Sequence, residues 1–328
     1  MPENIEYVSI NMNTGKRILL SIVCACLWAC AFSKDFRIMS FNMKGRRSAA
    51  MLAQTAEVIR DSDVSLVFLQ EVYIKSKTPP ALNALVSALG KNRWRYLHTY
   101  SYSLKDIVER DGETYKTCGT TQNNAVLYDS SVVEASDLAG ELGIAGFDGE
   151  YLVDKNNVQI IRFSVKDGGL RGSGTEESNS FIGVNVHLPY NDGEHRERDL
   201  KTLERFFARY KHSCGVLIAG DFNTRRKDLS VRNFDYVDGA DGWYYDRKFG
   251  LKTTLSTKGT DSVLFAQDYD HFVFSSKVRV VKPLRRFFSS SRKASVVAVP
   301  YGSVIYTSSV AYRKDISDHI PVVIDIEL

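Results

Sequence analysis

A cysteine-based zinc site is the first chemistry for which this sequence gives no sign. Three of its five cysteines, Cys24, Cys26 and Cys30, lie in one N-terminal apolar stretch, which leaves Cys118 and Cys214 for the rest of the chain. These two stand in no CxxC and no Cys/His spacing, so no structural zinc site is encoded. They could pair as a disulfide, but spacing alone does not show whether they meet. Internal repeats are missing too, as is any long linker between Lys34 and Leu328, which excludes solenoids and beads-on-a-string arrangements. The longest apolar run, Ile18 to Phe32, is too short to span a bilayer comfortably. Strong charge of one sign is also absent: the net charge of +4 and pI near 8.6 suit an anionic substrate without requiring one. What remains, 44% hydrophobic and 25% charged residues over 328 positions, is enough for a sizeable globular core.

The N-terminal run reads as an address. Lys16 and Arg17 precede it and small residues end it, the layout of a secretory signal, with Met12 as a natural start. Two endings compete. Ala31-Phe32-Ser33 fits small-x-small cleavage releasing Lys34, whereas Leu27-Trp28-Ala29-Cys30 resembles a lipobox that would leave Cys30 lipidated on a membrane. A buried N-terminal helix is the ordinary alternative. Residues 1–33 are therefore expected to be an extension plus signal, and residues 34–328 one domain. The chain would then be exported, to be periplasmic, extracellular or lipid-anchored at the cell surface.

Short apolar runs alternate with helical patterns through that body. Strands are expected at Phe36–Phe41, Val64–Leu69, Asn124–Tyr128, Gln159–Val165, Phe181–His187, Val216–Ala219, His271–Phe274 and Pro321–Ile326. Helices are expected at Ala49–Arg60, Pro80–Leu89 and Asp199–Tyr210, and Gly168–Ser180 reads as a solvated loop. Interleaved strands and helices imply an α/β fold with strands in two sheets.

Polar residues punctuate the ends of these strands. In chain order they are Asn42 in SFNM, Glu71 in LQEV, His187 in VHLPY, Asp221 and Asn223 in GDFN, Asp270 in YDHF, and Asp318 and His319 in ISDHIPV. Any one of them is an ordinary turn residue, and His187 alone would be a structural histidine. Their co-occurrence in a set order at strand ends, where α/β proteins bind ligands, is what points to a site. Glu71 with Asn42 and Asp318 offers hard oxygen ligands suited to Mg²⁺, with Mn²⁺ the alternative. His187 and His319 could divide proton handling, a carboxylate such as Asp270 or Asp221 would fix an imidazole's tautomer, and Asn42 and Asn223 could donate to a phosphoryl oxygen. Basic residues follow the strings: Lys44, Arg46 and Arg47, then Lys75 and Lys77, then Arg225, Arg226 and Lys227. If they rim one face they would bind a phosphodiester backbone, with Lys44 and Arg225 the first candidates. Solvated surface is the bland alternative.

These strings resemble the endonuclease/exonuclease/phosphatase superfamily, also called deoxyribonuclease I-like, from about Phe36 to the C-terminus. The resemblance implies a four-layer α/β sandwich, two packed mixed sheets flanked by helices. It also implies a metal site with Glu71 as principal ligand beside Asn42 and Asp318, His319 paired with Asp270, His187 as second histidine, and Asp221 and Asn223 around the scissile phosphate. Thr253 to Thr257 followed by YD and ISDH, and Lys44 two past Asn42, look most like the secreted deoxyribonuclease branch. Cytolethal distending toxin B subunits are similar in overall plan. The Trp-Cys-Asp-Arg string of the inositol-phosphate branch is replaced here by YDHF, and the loop signatures of the abasic-site endonucleases are not found. Two departures stand out: Tyr73 replaces a minor-groove arginine, and Tyr102 replaces a glutamate that orients the second histidine. Tyr100 joins the candidate catalytic set as a phosphate or groove contact.

The expectation is therefore an exported, metal-dependent phosphodiesterase cutting DNA by water attack, with nucleic acid as its partner and no protein partner inferable. A phospholipid-directed esterase is the alternative, and Phe287 and Phe288 within Arg285–Ser291 would be its apolar hairpin. A third reading, a non-catalytic surface binding protein, predicts broken motifs.

Overall fold

The computed structural model describes residues 36–45, 47–74, 78–99, 122–138, 158–166, 180–238, 245–246, 250–251, 253–255, 266–281 and 317–327. The N-terminal segment with Cys30, and also Arg46, Lys75, Lys77, Tyr100, Tyr102, Cys118 and Arg285–Ser291, lie outside the described residues. In chain order the strands are β1 (Phe36–Gly45), β2 (Leu66–Tyr73), β3 (Trp94–His98), β4 (Gln122–Asp129), β5 (Val133–Asp137), β6 (Val158–Val165) and β7 (Ser180–His187). They continue with β8 (Gly215–Asp221), β9 (Tyr236–Asp238), β10 (Tyr245–Asp246), β11 (Gly250–Leu251), β12 (Asp270–Phe274), β13 (Arg279–Val281) and β14 (Val322–Glu327). The helices are α1 (Ala49–Asp61), α2 (Pro80–Leu89), α3 (Gly193–Tyr210) and the single turn α4 (Arg226–Leu229). Among these helices none is long and apolar enough to cross a membrane.

Two mixed sheets form, in the orders β13-β14-β1-β2-β4-β3 and β5-β6-β7-β8-β12-β9. Each is organised around one βαβ unit. In the first, β1 and β2 run parallel with α1 between them. In the second, β7 and β8 run parallel with α3 between them. A parallel pair needs such a crossover, and it brings the carboxyl ends of both strands to one rim.

Period-two alternation sorts the side chains between layers. Ile38, Leu66, Phe68, Val126, Ile324 and Ile326 of the first sheet meet Ile161, Phe163, Phe181, Leu217, Ala219 and Phe272 of the second in the central core. Phe163 packs at 5.9 Å from Phe68 and 5.2 Å from Phe181, and each such ring contributes about 1.5–3 kcal/mol by leaving water. The opposite face of the first sheet, Met39, Phe41, Val67 and Leu69, is covered by Leu52, Ala56 and Ile59 of α1 and Leu82 and Leu85 of α2. The outer face of the second sheet, Val184, Val186, Val216 and Ile218, is covered by Leu200, Leu203, Phe206 and Phe207 of α3. Helix, sheet, sheet and helix make the four-layer sandwich that the strings implied.

Local differences from the sequence reading have local causes. Helix α3 begins at Gly193, six positions before the apolar periodicity sets in, because Asp192 caps it by accepting from the His195 N–H. Strands β3 and β5 were not anticipated: only Trp94 and Val133 are fully buried in them, so each lacks a run of apolar residues.

Candidate active site

Both βαβ units deliver their strand ends to one place, and they do so differently. Strands β7 and β8 stay in register to their last pair, His187 opposite Asp221, and β12 meets β8 with Asp270 opposite Asp221. Gly220 makes this possible. Its φ is +146°, and a Cβ there would lie 1.9 Å from the Val186 carbonyl oxygen, so only glycine lets the strands close beside the site. In the first unit the register slips between Asn42 and Gly45 on β1 and between Leu69 and Val72 on β2. Lys44 and Glu71 sit at those slips with φ of 57° and 52°, and Asn223 of the GDFN string has φ of 46°. Left-handed backbone is unfavourable for such residues and collects where geometry is imposed by function.

The side chains converge across the joint between the sheets. The Asn42 amide donates to Glu71 Oε1 and to Asp221 Oδ2, each at 3.1 Å, linking a carboxylate from either sheet. His187 Nε2 lies 3.6 Å from the same Glu71 oxygen and 3.9 Å from Asp221 Oδ2. His319 holds Asp270 Oδ2 through Nδ1 at 2.8 Å and turns Nε2 toward Asp221 Oδ2 at 3.6 Å. Lys44 Nζ lies 3.4 Å from Asp318 Oδ2, and its N–H donates to Asn42 Oδ1 at 2.9 Å. Asn223 donates its amide to the Leu188 carbonyl and its backbone N–H to Asp221 Oδ1.

Thus Asn42, Glu71, His187, Asp221, Asp270 and His319 are brought together, with Asn223, Lys44 and Asp318 attached to them. Arg225 sits outside, half-exposed and paired with Asp228 at 3.0 Å. Both amide hydrogens of Asn42 are engaged by carboxylates, so it positions those acids and is not the open phosphoryl donor expected from the sequence. The tightest cluster of ligand atoms is Asp221, Asp270 and His319, all within 4.8 Å of one another, which differs from the expected Glu71, Asn42 and Asp318. Since His319 already holds Asp270 in a hydrogen-bonded ion pair, that cluster is better suited to a proton than to a cation. Glu71 and Asp318, 21% and 31% exposed against 2% for Asp221, are the acids an incoming ion can reach.

Burial and close charged partners set the charges of the inner group together. For His319, burial opposes protonation, but Asp270 and then Asp221 outweigh it and push the imidazole up to about 10. Asp221 is raised, chiefly by burial, with the nearby Asp270 carboxylate reinforcing the shift and His319 and His187 opposing it.

Several supporting residues stand behind these; Thr253 and Thr254 belong to a string already noted, whereas the buried amides carry no motif. Gln70, beside Glu71, donates to Asn185 Oδ1 at 2.7 Å across the central core, and Asn185 donates to the carbonyls of Leu69 and Ala125. Asn124 donates to the Asn185 carbonyl. These amides tie the slipped end of β2 to the second sheet. Polar residues at inward-facing positions of otherwise apolar strands were the available signal. Ser317 donates to the Asn42 carbonyl and accepts from the His319 N–H. The Thr253 hydroxyl accepts from the N–H groups of Tyr269 and Asp270, while the Thr254 backbone bridges to His319.

The profile of the endonuclease/exonuclease/phosphatase family matches residues 39–319, and the chain belongs to that family. Solved structures share the fold at low identity. A Bacteroides vulgatus endonuclease/exonuclease/phosphatase is 16% identical with a TM-score of 0.52, covering 90% of this chain and 99% of its own. D. rerio TDP2, complexed with a single-strand DNA product, is 14% identical with a TM-score of 0.50, covering 90% and 100%. A Bacteroides thetaiotaomicron mannosyl-6-phosphatase is 14% identical with a TM-score of 0.50, covering 89% and 100%. No curated protein matches the sequence.

Proposed function

We propose that this chain is a divalent-metal-dependent phosphodiesterase acting on nucleic acid, DNA first, by in-line attack of water. The observation that carries this reading is Asp221, a buried carboxylate within 3.9 Å of both His187 and His319 and hydrogen-bonded to the amide that also holds Glu71. Such a group, raised by burial, is suited to accept a proton from an attacking water. His319, protonated at neutral pH and fixed by Asp270, would hold a phosphoryl oxygen and protonate the departing oxygen through Nε2. His187 would share the proton handling near Glu71.

The donor set fits a hard cation. Glu71 would hold Mg²⁺, or Mn²⁺, with Asp318 alongside. Asn42, whose oxygen accepts from the Lys44 N–H, would position Glu71 rather than ligate the ion as the resemblance implied. When bound, such an ion neutralises charge on a phosphate oxygen. Lys44 and Arg225 supply positive charge for the phosphodiester backbone. The DNA-bound neighbour supports nucleic acid as the substrate class, and the sugar-phosphatase neighbour makes a phosphomonoester the arm to test against it. Export, with cleavage after Ser33 or lipidation of Cys30, belongs to the same proposal and rests on the N-terminal pattern.

Purified protein and its His319→Ala variant, each with Mg²⁺ or chelator, are to be incubated with plasmid DNA, RNA, mannose 6-phosphate, sphingomyelin and a phosphoinositide. Metal-dependent DNA nicking that the variant lacks supports the nuclease reading. Turnover of lipid or sugar phosphate with untouched DNA overturns it.

A further inference from the structure

The VHLPY string does not end at His187. Leu188 is clamped to the site, its N–H on the Asp221 carbonyl and its own carbonyl on the Asn223 amide. Two residues later Tyr190 stands 64% exposed. An aromatic ring in water at a site mouth is either incidental or built, and the backbone beneath this one is built. Arg196, from the first turns of α3, donates to the carbonyls of both Pro189 and Tyr190, at 2.6 and 2.8 Å. Asp192 caps the same helix. The loop is therefore fixed while its ring remains uncovered.

A second ring backs it. Tyr269 packs edge-on against Tyr190, with centroids 6.2 Å apart and planes at 61°. It directly precedes Asp270, its carbonyl accepts from the Phe222 N–H, and its own N–H is held by Thr253. The half-buried ring lies within electrostatic reach of Asp221, Arg196 and Arg225. The exposed Tyr190 is thus backed by a ring that feels both the carboxylate assigned to the attacking water and Arg225, a cation assigned to the phosphodiester backbone.

We propose that Tyr190, supported by Tyr269, is a stacking shelf that takes an unstacked nucleobase flanking the scissile phosphate, so the preferred substrate is single-stranded or locally opened nucleic acid. This rests on the phosphodiesterase reading and names its substrate more closely. Stacking is sequence-tolerant because every base has a π-face, while Arg225 would bind the phosphate charge that accompanies it. A sugar phosphate has no planar group for such a shelf, and a fully paired duplex keeps its bases out of reach.

Two readouts test it on the full chain. The first is binding without turnover: the His319→Ala protein in chelator is titrated with a single-stranded oligodeoxynucleotide carrying 2-aminopurine. The shelf predicts quenching of the 2-aminopurine fluorescence, roughly tenfold weaker affinity after Tyr190→Ala, and near-normal affinity for Tyr190→Phe. The second compares kcat/KM, with Mg²⁺, on an oligonucleotide and on one with abasic spacers around the cut. Wild type should lose roughly tenfold on the abasic substrate, whereas Tyr190→Ala should treat the two alike. Absent quenching, or a Tyr190→Ala variant that keeps the full base preference, overturns the shelf. Quenching without cleavage of either oligonucleotide leaves the shelf standing and overturns the phosphodiesterase reading.

Discussion

The two βαβ units perform the same task at one rim and are built to different tolerances. Around β7 and β8 every pairing is regular up to His187 and Asp221, glycine permits the closest approach, and the acids presented are buried. Around β1 and β2 the ladder slips twice, Lys44 and Glu71 take left-handed backbone, and the acids presented remain partly exposed. The regular unit suits groups whose proton affinity is set by burial and close partners. The slipped unit turns oxygen atoms outward, where an ion and its waters can reach them. On the proposed reading, proton chemistry centres on the buried Asp221, Asp270 and His319 and cation binding on Glu71 and Asp318, and mutation should separate them.

The largest effect is expected on the buried side. His319→Ala should lower kcat by about 10²–10⁴-fold, the range of a lost acid or base, with little change in metal affinity measured by calorimetry. A metal affinity that fell in parallel would place His319 on the cation side and break the division. The same residue carries a pH signature. Its pKa is raised in the folded state, from an ordinary value near 6.5 to about 10. Its stabilisation is then fully present below about pH 6.5 and is lost as pH rises through about 10. In chelator, the Tm difference between wild type and His319→Gln should narrow over that window, and a difference that widened would contradict the ion pair. On the exposed side, Glu71→Gln should weaken Mg²⁺ binding by about tenfold or more while leaving Tm within a degree or two. Unchanged Mg²⁺ affinity would remove Glu71 from the cation.

An intermediate effect is expected where the halves are joined. Asn185 accepts from Gln70 and donates to the carbonyls of Leu69 and Ala125, holding β2 at its slip. Asn185→Ala removes the amide donor from the buried Leu69 and Ala125 carbonyls, a loss of about 1–3 kcal/mol for each group left unsatisfied. Gln70 keeps Ser40 and the Phe68 carbonyl. Denaturation should show it, together with reduced activity. Stability lost with activity per folded molecule intact would mean that the joint serves the fold alone.

The contrast also explains which features could be read from the sequence. On the regular side, the apolar run ending abruptly in His187 announces both the strand and its last residue. By contrast, β8 extends two residues past the expected Ala219 to Asp221, and β12 starts one residue before the expected His271, at Asp270. On the slipped side, Asn42 and Glu71 were legible as residue types, but β2 was read as ending at Leu69, since the bulge that turns Glu71 outward leaves no apolar signature. The Asn185 network was hidden for another reason. Asparagine in a strand signals a turn unless its partners are known, and Leu69, Ala125 and Gln70 are distant in the chain. Tyr190 was passed over because nothing in a sequence distinguishes an exposed ring on a clamped loop from a core tyrosine.

The smallest predicted effect concerns the two cations. Lys44 belongs to the slipped strand and lies against Asp318 within the site, whereas Arg225 follows the regular unit and, among the described residues, pairs with Asp228 at the surface. A surface pair of this kind contributes about 0–1 kcal/mol, so Arg225→Met should leave Tm essentially unchanged. If Arg225 touches one phosphate, its removal should flatten the dependence of log K on log salt by about 0.7 for single-stranded DNA, with Mg²⁺ affinity unaltered. Lys44→Met should flatten that slope too, but it also frees Asp318, so Mg²⁺ should bind more tightly. Were both variants to change Mg²⁺ affinity equally, the cation site would extend across the joint and the two halves would not be chemically distinct.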